Sequence, residues 1–234
     1  MNRNYGLAAF VALVVLFCAG SPARAATCGN SAAGYEGWKQ QFAGEARAKG
    51  IGANSIAALM ATSYAQATIN ADRGQRSFQL TLDQFLAKRG ATTIVAKGRQ
   101  LRHSQGALFA SIQQRYGVPP GPLIAIWGME TGFGTQRGNQ NMLASIATLS
   151  YDCRRSEYFT EHLYAALQLI DRGALSPSQR GSMHGEVGQT QFMPKAILNY
   201  AGGSNVESGP GSLTATANFL RGHGWSAGAG YQPG

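Results

Sequence analysis

Residues 123–134 read LIAIWGMETGFG, and they decide how the rest of the chain is interpreted. Four of these residues follow the i, i+3, i+4, i+7 spacing that places side chains on one helix face: Leu123, Ile126, Trp127 and Glu130. Pro119, Pro120 and Pro122 signal a helix start, and Gly132 and Gly134 signal a helix stop. We therefore predict that Glu130 lies at a helix C-terminus and faces inward beside the indole of Trp127.

A carboxylic acid at such a place holds its proton strongly. Burial disfavours the carboxylate, and the negative end of the helix dipole does the same, so both raise the pKa above the usual value of about 4.3. An acid that is still protonated near neutral pH can donate its proton to the oxygen of a glycosidic bond. The same residues allow an alternative, in which Glu130 turns outward or pairs with an arginine.

The N-terminus has the three parts of a secretory signal peptide. Arg3 precedes an apolar run over residues 7–19, and an Ala-x-Ala exit follows at residues 23–25. The apolar run is short for a membrane span, so an uncleaved anchor is the weaker alternative. The sequence predicts a signal peptide over residues 1–25 and a periplasmic mature protein without stable membrane insertion.

Two cysteines follow the predicted cleavage point, Cys28 and Cys153. An even number of cysteines in an exported chain predicts one disulfide between them. Neither has a second cysteine at metal-ligand spacing, so a metal site is poorly supported.

The chain is basic, with a net charge of +9 from 20 Lys and Arg residues against 11 Asp and Glu residues. A basic surface favours an anionic polymer as partner. An exported protein meets the bacterial cell wall, whose stem peptides carry carboxylates, and we do not expect it to bind nucleic acid.

Helical periods dominate the chain after residue 25 and predict a mainly α fold. We find no repeat and no interior linker, so we predict one domain over residues 26–225 and a disordered tail over residues 226–234. The pattern predicts an irregular segment over residues 64–80 and one long helix from Ile94 to Tyr116. Asn54 and Ser212 are predicted helix N-caps.

Several motifs resemble those of the lytic murein transglycosylases of the B type. They occur in order at residues 126–134, 147–159, 181–194 and 218–225. The resemblance extends from about Trp38 to Trp225, and several matched motifs are more specific than any one alone. It implies a lysozyme-like helical fold and an enzyme that cleaves the glycan strands of peptidoglycan. We expect a monomer that needs no cofactor and no metal.

In this family one glutamate acts first as acid and then as base. The resemblance implies that Glu130 protonates the oxygen between N-acetylmuramic acid and N-acetylglucosamine. The carboxylate then takes the proton of the muramoyl C6 hydroxyl, which attacks C1 and closes a 1,6-anhydro ring. A hydrolase usually needs a second carboxylate. Because the sequence offers a single good candidate for a catalytic carboxylate, it favours the lyase. A muramidase-type hydrolase remains the alternative.

The resemblance also assigns roles to four other residues: Ser182, Gln191, Arg154 and Arg155. Ser182 is expected to hydrogen-bond Glu130, and Gln191 is expected to contact sugar in the cleft. The two arginines match a basic pair associated with the lactyl or peptide side of the muramoyl unit. For each residue the alternative is an ordinary loop or surface role, which we favour for one of the arginines.

The sequence departs from the family pattern at three places. Family members often carry an Asp-rich calcium loop, but residues 201–210 contain one carboxylate, so we predict no calcium. Glu186 stands where small or apolar residues are usual, and it is interpreted as a surface charge or, alternatively, as a second cleft acid. A Tyr-Asn pair that lines the family cleft has no match here unless Tyr231 replaces it. A glycan-binding protein with little or no turnover is therefore a further hypothesis.

Overall fold

A computed structural model describes residues 26–74 and 80–229. The predicted signal peptide and Tyr231 lie outside these ranges, as does most of the predicted disordered tail. Within them, no helix is both long enough and apolar enough to cross a membrane.

Helices form nearly all of the architecture. In chain order they are α1 (Tyr35–Ala48), α2 (Ala53–Met60), α3 (Gln66–Arg73), α4 (Leu82–Lys88), α5 (Ala91–Ser104), α6 (Gly106–Tyr116), α7 (Pro120–Thr131), α8 (Met142–Tyr151), α9 (Ser156–Asp171), α10 (Pro194–Ala196) and α11 (Gly209–Gly222). A 3-10 turn (Ala32–Gly34) precedes α1, and a π-helical turn (Ile197–Ala201) follows α10. Strands β1 (Gln140–Asn141) and β2 (Arg180–Gly181) pair antiparallel, with Gln140 opposite Gly181. The predicted mainly α fold is confirmed.

Two hydrophobic cores lie on either side of the catalytic candidate. The larger core is built around α1, α2, α8 and α9 and includes the buried rings of Trp38 and Phe42. The smaller core joins α6, α7 and α11 and includes Phe109, Leu123 and Trp127. Because α7 belongs to the smaller core and α9 to the larger one, a groove between them is bounded by both.

The predicted disulfide between Cys28 and Cys153 is present. Backbone hydrogen bonds flank it: the Gly29 N–H donates to the Tyr151 carbonyl (2.9 Å) and the Cys153 N–H to the Gly29 carbonyl (3.2 Å). The bridge closes a loop of 125 residues and ties the N-terminal segment to the end of α8.

Replacing both Cys28 and Cys153 by serine is expected to lower the free energy of unfolding by about 2–4 kcal/mol, because the long loop gains entropy in the unfolded chain. Urea unfolding of the variant and of the oxidised wild-type protein measures the difference. Wild-type protein reduced with dithiothreitol is the matched control and should unfold like the variant. Equal midpoints for the oxidised wild-type protein and the variant would contradict the prediction.

Two helix starts differ from the prediction because other groups cap them. Helix α2 begins after Gly52 rather than at Asn54, and Asp171 of α9 accepts hydrogen bonds from the Gly52 N–H (2.8 Å) and the Ser55 hydroxyl (2.6 Å). Helix α11 begins after Ser208, whose hydroxyl accepts from the Gly211 N–H (3.1 Å), and it contains Ser212 in its interior.

The predictions for two longer segments of the chain were also wrong. Residues predicted as irregular form α3, because Ile69 packs with Leu149 and Phe159 in a small buried cluster. The predicted long helix is two helices, α5 and α6, separated at Gln105, whose backbone leaves the helical region (φ −113°, ψ 28°).

Candidate active site

Helix α7 carries the catalytic candidate and ends where the sequence predicts. Gly132 adopts φ 57° and closes the helix with its N–H on the Gly128 carbonyl (3.0 Å). Glycines bring α5 and α7 close together, since a Cβ at Gly98 would lie 2.5 Å from Ile124 and one at Gly128 would lie 2.5 Å from Ile94. This close packing fixes α7 and with it the position of Glu130.

Glu130 faces a cleft rather than the core. The cleft has a volume of about 590 Å³, and its lining includes Ile126 and Glu130 of α7. The Glu130 side chain is exposed, whereas Trp127 is 6% exposed and its indole N–H donates to Gln189 (2.9 Å). The prediction that Glu130 faces inward beside the indole is therefore wrong: the carboxyl group follows Ile126, four residues earlier, into the groove.

The pKa of Glu130 is nevertheless raised above its usual value. Partial burial against the cleft wall is the first cause, and the negative charge of Glu186 is the second. The positive charge of Arg89 opposes both. The guanidinium of Arg89 donates to the carbonyl of Met129, beside Glu130. The predicted direction is confirmed, although the side chain is open to the solvent of the groove.

Ser182 is bonded to Glu186. Its hydroxyl donates to a carboxylate oxygen of Glu186 (2.8 Å) and accepts from the backbone N–H groups of His184 (3.1 Å) and Glu186 (3.2 Å). The expected hydrogen bond from Ser182 to Glu130 is therefore replaced, because a closer charged acceptor lies four residues along the same loop. Glu186 is half-buried and its negative charge raises the pKa of Glu130, while the alternative role of a second cleft acid remains a prediction.

Gln191 lines the cleft, as the resemblance implies. Its backbone has φ 53°, uncommon for a residue other than glycine, and its side-chain amide donates to the Gly188 carbonyl (2.9 Å). Val187 and Phe192 flank this turn and exchange two backbone hydrogen bonds (2.9 and 2.8 Å). The turn thus holds Gln191 at the groove, and its contact with sugar remains a prediction.

Arg154 and Arg155 both bind one buried carboxylate. Their guanidinium groups form ion pairs with Asp72 of α3, which is 4% exposed. His184 Nε2 lies 3.6 Å from the same carboxylate. Both arginines therefore join α3 to the start of α9, and neither is a plain surface charge. Their guanidinium groups remain partly exposed, so a role toward substrate stays a prediction.

Residues 34–233 match the family model of the transglycosylase SLT domain. The chain belongs to this family. Membrane-bound lytic murein transglycosylase B of Escherichia coli (strain K12) is 35% identical to it over 123 residues, which are 49% of this chain and 34% of that protein.

Solved structures resemble the SLT domain over most of its length. SltB3 from Pseudomonas aeruginosa in complex with NAG-anhNAM-pentapeptide has 33% identity and a TM-score of 0.76, covering 83% of this chain and 54% of SltB3. Slt35 from Escherichia coli in complex with calcium has 24% identity and a TM-score of 0.69, covering 87% and 68%, and shows the shared fold alone. The chain thus spans about half of SltB3 and about a third of the curated relative.

Helices α9 and α11 supply cleft residues of this SLT domain that the sequence reasoning missed. Tyr158 and His162 come from α9, Phe219 comes from α11, and His223 is the C-cap residue directly after α11. The sequence contains a pattern that could have indicated them, because the members of each pair are four positions apart and so share a helix face. Burial lowers the pKa of His162, and the nearby charge of Lys195 lowers it further.

Across the described part of the SLT domain, no group of three or more His, Cys, Asp or Glu side chains could hold a metal ion. Within residues 201–210, the carboxylate is that of Glu207, and it pairs with Arg137 (2.8 Å). The absence of bound calcium remains a prediction, which calcium titration by calorimetry tests.

Proposed function

We propose that residues 26–225 form a lytic transglycosylase domain. It cleaves the β-1,4 bond between N-acetylmuramic acid and N-acetylglucosamine of peptidoglycan without consuming water, and it leaves 1,6-anhydro ends. One observation supports this proposal most directly. In a chain of the SLT family, Glu130 lies at the edge of a cleft, and the pKa of its carboxylic acid is raised. The complex of the 33% identical SltB3 with an anhydro-muramoyl peptide supports the substrate class.

Glu130 transfers two protons in turn, giving one and then accepting another. As the C1–O bond breaks, the carboxyl group gives its proton to the departing oxygen, and the substrate's acetamido group supports the positive charge at C1. The resulting carboxylate then accepts the proton of the C6 hydroxyl while O6 bonds to C1. The enzyme ends in its starting protonation state, and no cofactor is needed.

One observation favours a second candidate, a muramidase-type hydrolase. Glu186 adds a carboxylate whose charge reaches Glu130, and hydrolases of this class use two carboxylates. Digestion of purified peptidoglycan in ¹⁸O-labelled water distinguishes the candidates by the mass of the products. Unlabelled anhydro ends support the transglycosylase, and labelled reducing ends support the hydrolase. Binding to peptidoglycan without release of fragments would contradict both.

The proposed location is the periplasm, after cleavage following Ala25. The disulfide between Cys28 and Cys153 and the cell-wall substrate support an oxidising compartment outside the cytoplasm. N-terminal sequencing of the protein from a periplasmic fraction tests this location, and Ala26 is the expected first residue.

A basic lobe beside the site supports an acidic partner such as peptidoglycan with its stem peptides. Residues 84–129, which span α5, α6 and most of α7, contain six Lys or Arg residues and no Asp or Glu. On α5, Arg99 and Arg102 lie on one exposed face. In the described ranges, no carboxylate forms a salt bridge with either of them.

Replacing Arg99 and Arg102 by alanine is therefore expected to weaken binding to intact peptidoglycan roughly fivefold, since exposed charges contribute up to about 1 kcal/mol in total. Co-sedimentation at 50 and 300 mM salt measures the effect, which should shrink at high salt. The double variant Arg47→Ala/Arg172→Ala removes the same charge elsewhere on the surface and should bind like the wild-type protein. Equal losses in the two variants would contradict a role for the lobe.

A further inference from the structure

Gln189 joins the helix that carries Glu130 to the loop that precedes α11. Its side-chain oxygen accepts from the indole N–H of Trp127 (2.9 Å), and its side-chain amide donates to the carbonyl of Glu207 (2.8 Å). Its backbone carbonyl accepts from the hydroxyl of Thr131 (2.5 Å), and its backbone N–H donates to the carbonyl of Val206 (2.9 Å). Each polar atom of Gln189 is thus hydrogen-bonded, and two of these bonds reach α7.

The two bonds to α7 lie on either side of Glu130. Trp127 precedes Glu130 by three residues and is 6% exposed, and Thr131 follows it directly and is 1% exposed. The Thr131 hydroxyl also accepts from the N–H of Gly134 (2.9 Å), in the turn that follows α7. A Cβ at Gly134 would lie 2.4 Å from the side-chain oxygen of Gln189, so the amide packs directly on this turn. Because Trp127 and Thr131 are buried, the loss of their partner is costly.

The residues after Gln189 form part of the cleft wall. Thr190 and Gln191 line the cleft together with Glu130. The hydroxyl groups of Thr190 and of Thr216, on α11, are hydrogen-bonded to each other (3.0 Å), which holds this wall to α11. Gln189 therefore lies at the junction between the helix that carries the acid and the turn that carries Gln191.

We propose that Gln189 is a positioning residue that fixes the last turn of α7 against the turn at residues 188–192. This inference rests on the proposed function of Glu130. Gln189 takes part in no bond change, and the proton still passes from Glu130 to the departing oxygen. Proton transfer requires a donor within about 2.6–3.2 Å of its acceptor, so a small shift of the last turn of α7 slows the reaction. A misplacement of about 1 Å costs up to roughly 100-fold in rate.

The variant Gln189→Met tests the two side-chain hydrogen bonds, because it removes both and keeps nearly the same length. The backbone bonds remain, and α7 keeps its close packing on α5 at Gly128. The indole N–H of Trp127 loses its acceptor, so the last turn of α7 is expected to move. On soluble, uncrosslinked peptidoglycan strands, kcat should fall roughly 10- to 100-fold, while KM stays within about twofold of the wild-type value.

Gln179→Met is the matched control. The side-chain amide of Gln179 donates to the carboxylate of Glu207 (3.0 Å), so this variant also removes a glutamine hydrogen bond to Glu207 but leaves α7 untouched. Its kcat and KM should both stay within about twofold of the wild-type values. Both variants are assayed at a temperature at which circular dichroism shows them fully folded, so a smaller folded fraction is not counted as a lower kcat. Equal kcat values for the two variants, or a loss confined to KM, would overturn the role of Gln189.

A second comparison tests whether Gln189 acts through Trp127. Trp127→Phe removes the indole N–H and should also lower kcat. Adding Gln189→Met to it should lower kcat by no more than about a further twofold, since the two changes break the same bond. Losses that multiply would show independent effects and would overturn the inference. If Gln189→Met does not fold, Trp127→Phe serves alone: a lower kcat at unchanged KM supports the inference, and a wild-type kcat overturns it.

Outcomes for this inference and for the proposed function are distinct. Absence of anhydro products from the wild-type protein overturns the proposed function of Glu130. Anhydro products from the wild-type protein, together with an unchanged kcat in Gln189→Met, overturn only the role of Gln189.

Discussion

Replacing Glu130 by glutamine is expected to lower the release of soluble peptidoglycan fragments by about 10²- to 10⁴-fold, the usual contribution of a general acid or base. Glutamine has nearly the same shape but cannot donate the proton that the departing oxygen needs. Because the Glu130 side chain is exposed in the cleft, the substitution should change the free energy of unfolding by no more than about 0.5 kcal/mol.

Turbidity clearing of purified peptidoglycan measures the loss, and thermal unfolding followed by circular dichroism verifies the fold. Glu157→Gln is the matched control, because it neutralises a glutamate on the surface near the same cleft. Wild-type rates for Glu130→Gln would remove this residue from the mechanism. Loss of activity accompanied by a much lower melting temperature would show a structural effect instead.

The sequence predicts the existence and the ends of α7 but not which way its acid points. Prolines at the start and Gly132 at the end mark the helix boundaries. The helix is apolar nearly all round, because Leu123 and Trp127 are buried in the smaller core while Ile126 lines the cleft. The spacing of apolar residues cannot decide between two apolar helix faces. It therefore supports a Glu130 side chain on the face of Trp127 as well as one on the face of Ile126.

The bond between Ser182 and Glu186 could have been found from spacing alone. A serine hydroxyl can accept from nearby backbone N–H groups in a turn, and Glu186 lies four residues away, directly after Gly185. The resemblance assigned Ser182 to Glu130 because it describes a family in which small or apolar residues are usual at position 186. Here one changed residue redirects a hydrogen bond that the motif implies.

The ion pairs of Asp72 could not be predicted, because they join residues more than 80 positions apart. Asp72 falls in the segment predicted to be irregular, whereas it lies inside α3 with its side chain buried. Placing it against the start of α9 required the packing of α3 on α8, which local patterns do not contain. The assignment of Arg154 and Arg155 to substrate followed from the motif alone.

Replacing both Arg154 and Arg155 by alanine is expected to lower the free energy of unfolding by up to about 3–5 kcal/mol, because Asp72 keeps its buried charge and loses both strong partners. The side chain of Asp72 is 2% exposed, and His184 at 3.6 Å is the neighbour that remains. Urea unfolding of the double variant against the wild-type protein measures the loss.

The triple variant that adds Asp72→Asn is the decisive control, since it removes the charge that the arginines neutralise. If the arginines serve the fold, the triple variant should recover much of the lost stability, and the coupling between the sites should be of the order of 1–3 kcal/mol. If they serve the substrate, the double variant should unfold like the wild-type protein while its affinity for peptide-bearing glycan falls. We expect the first outcome. The buried carboxylate of Asp72 needs the arginines to neutralise its charge, whereas the partly exposed guanidinium groups can be solvated by water.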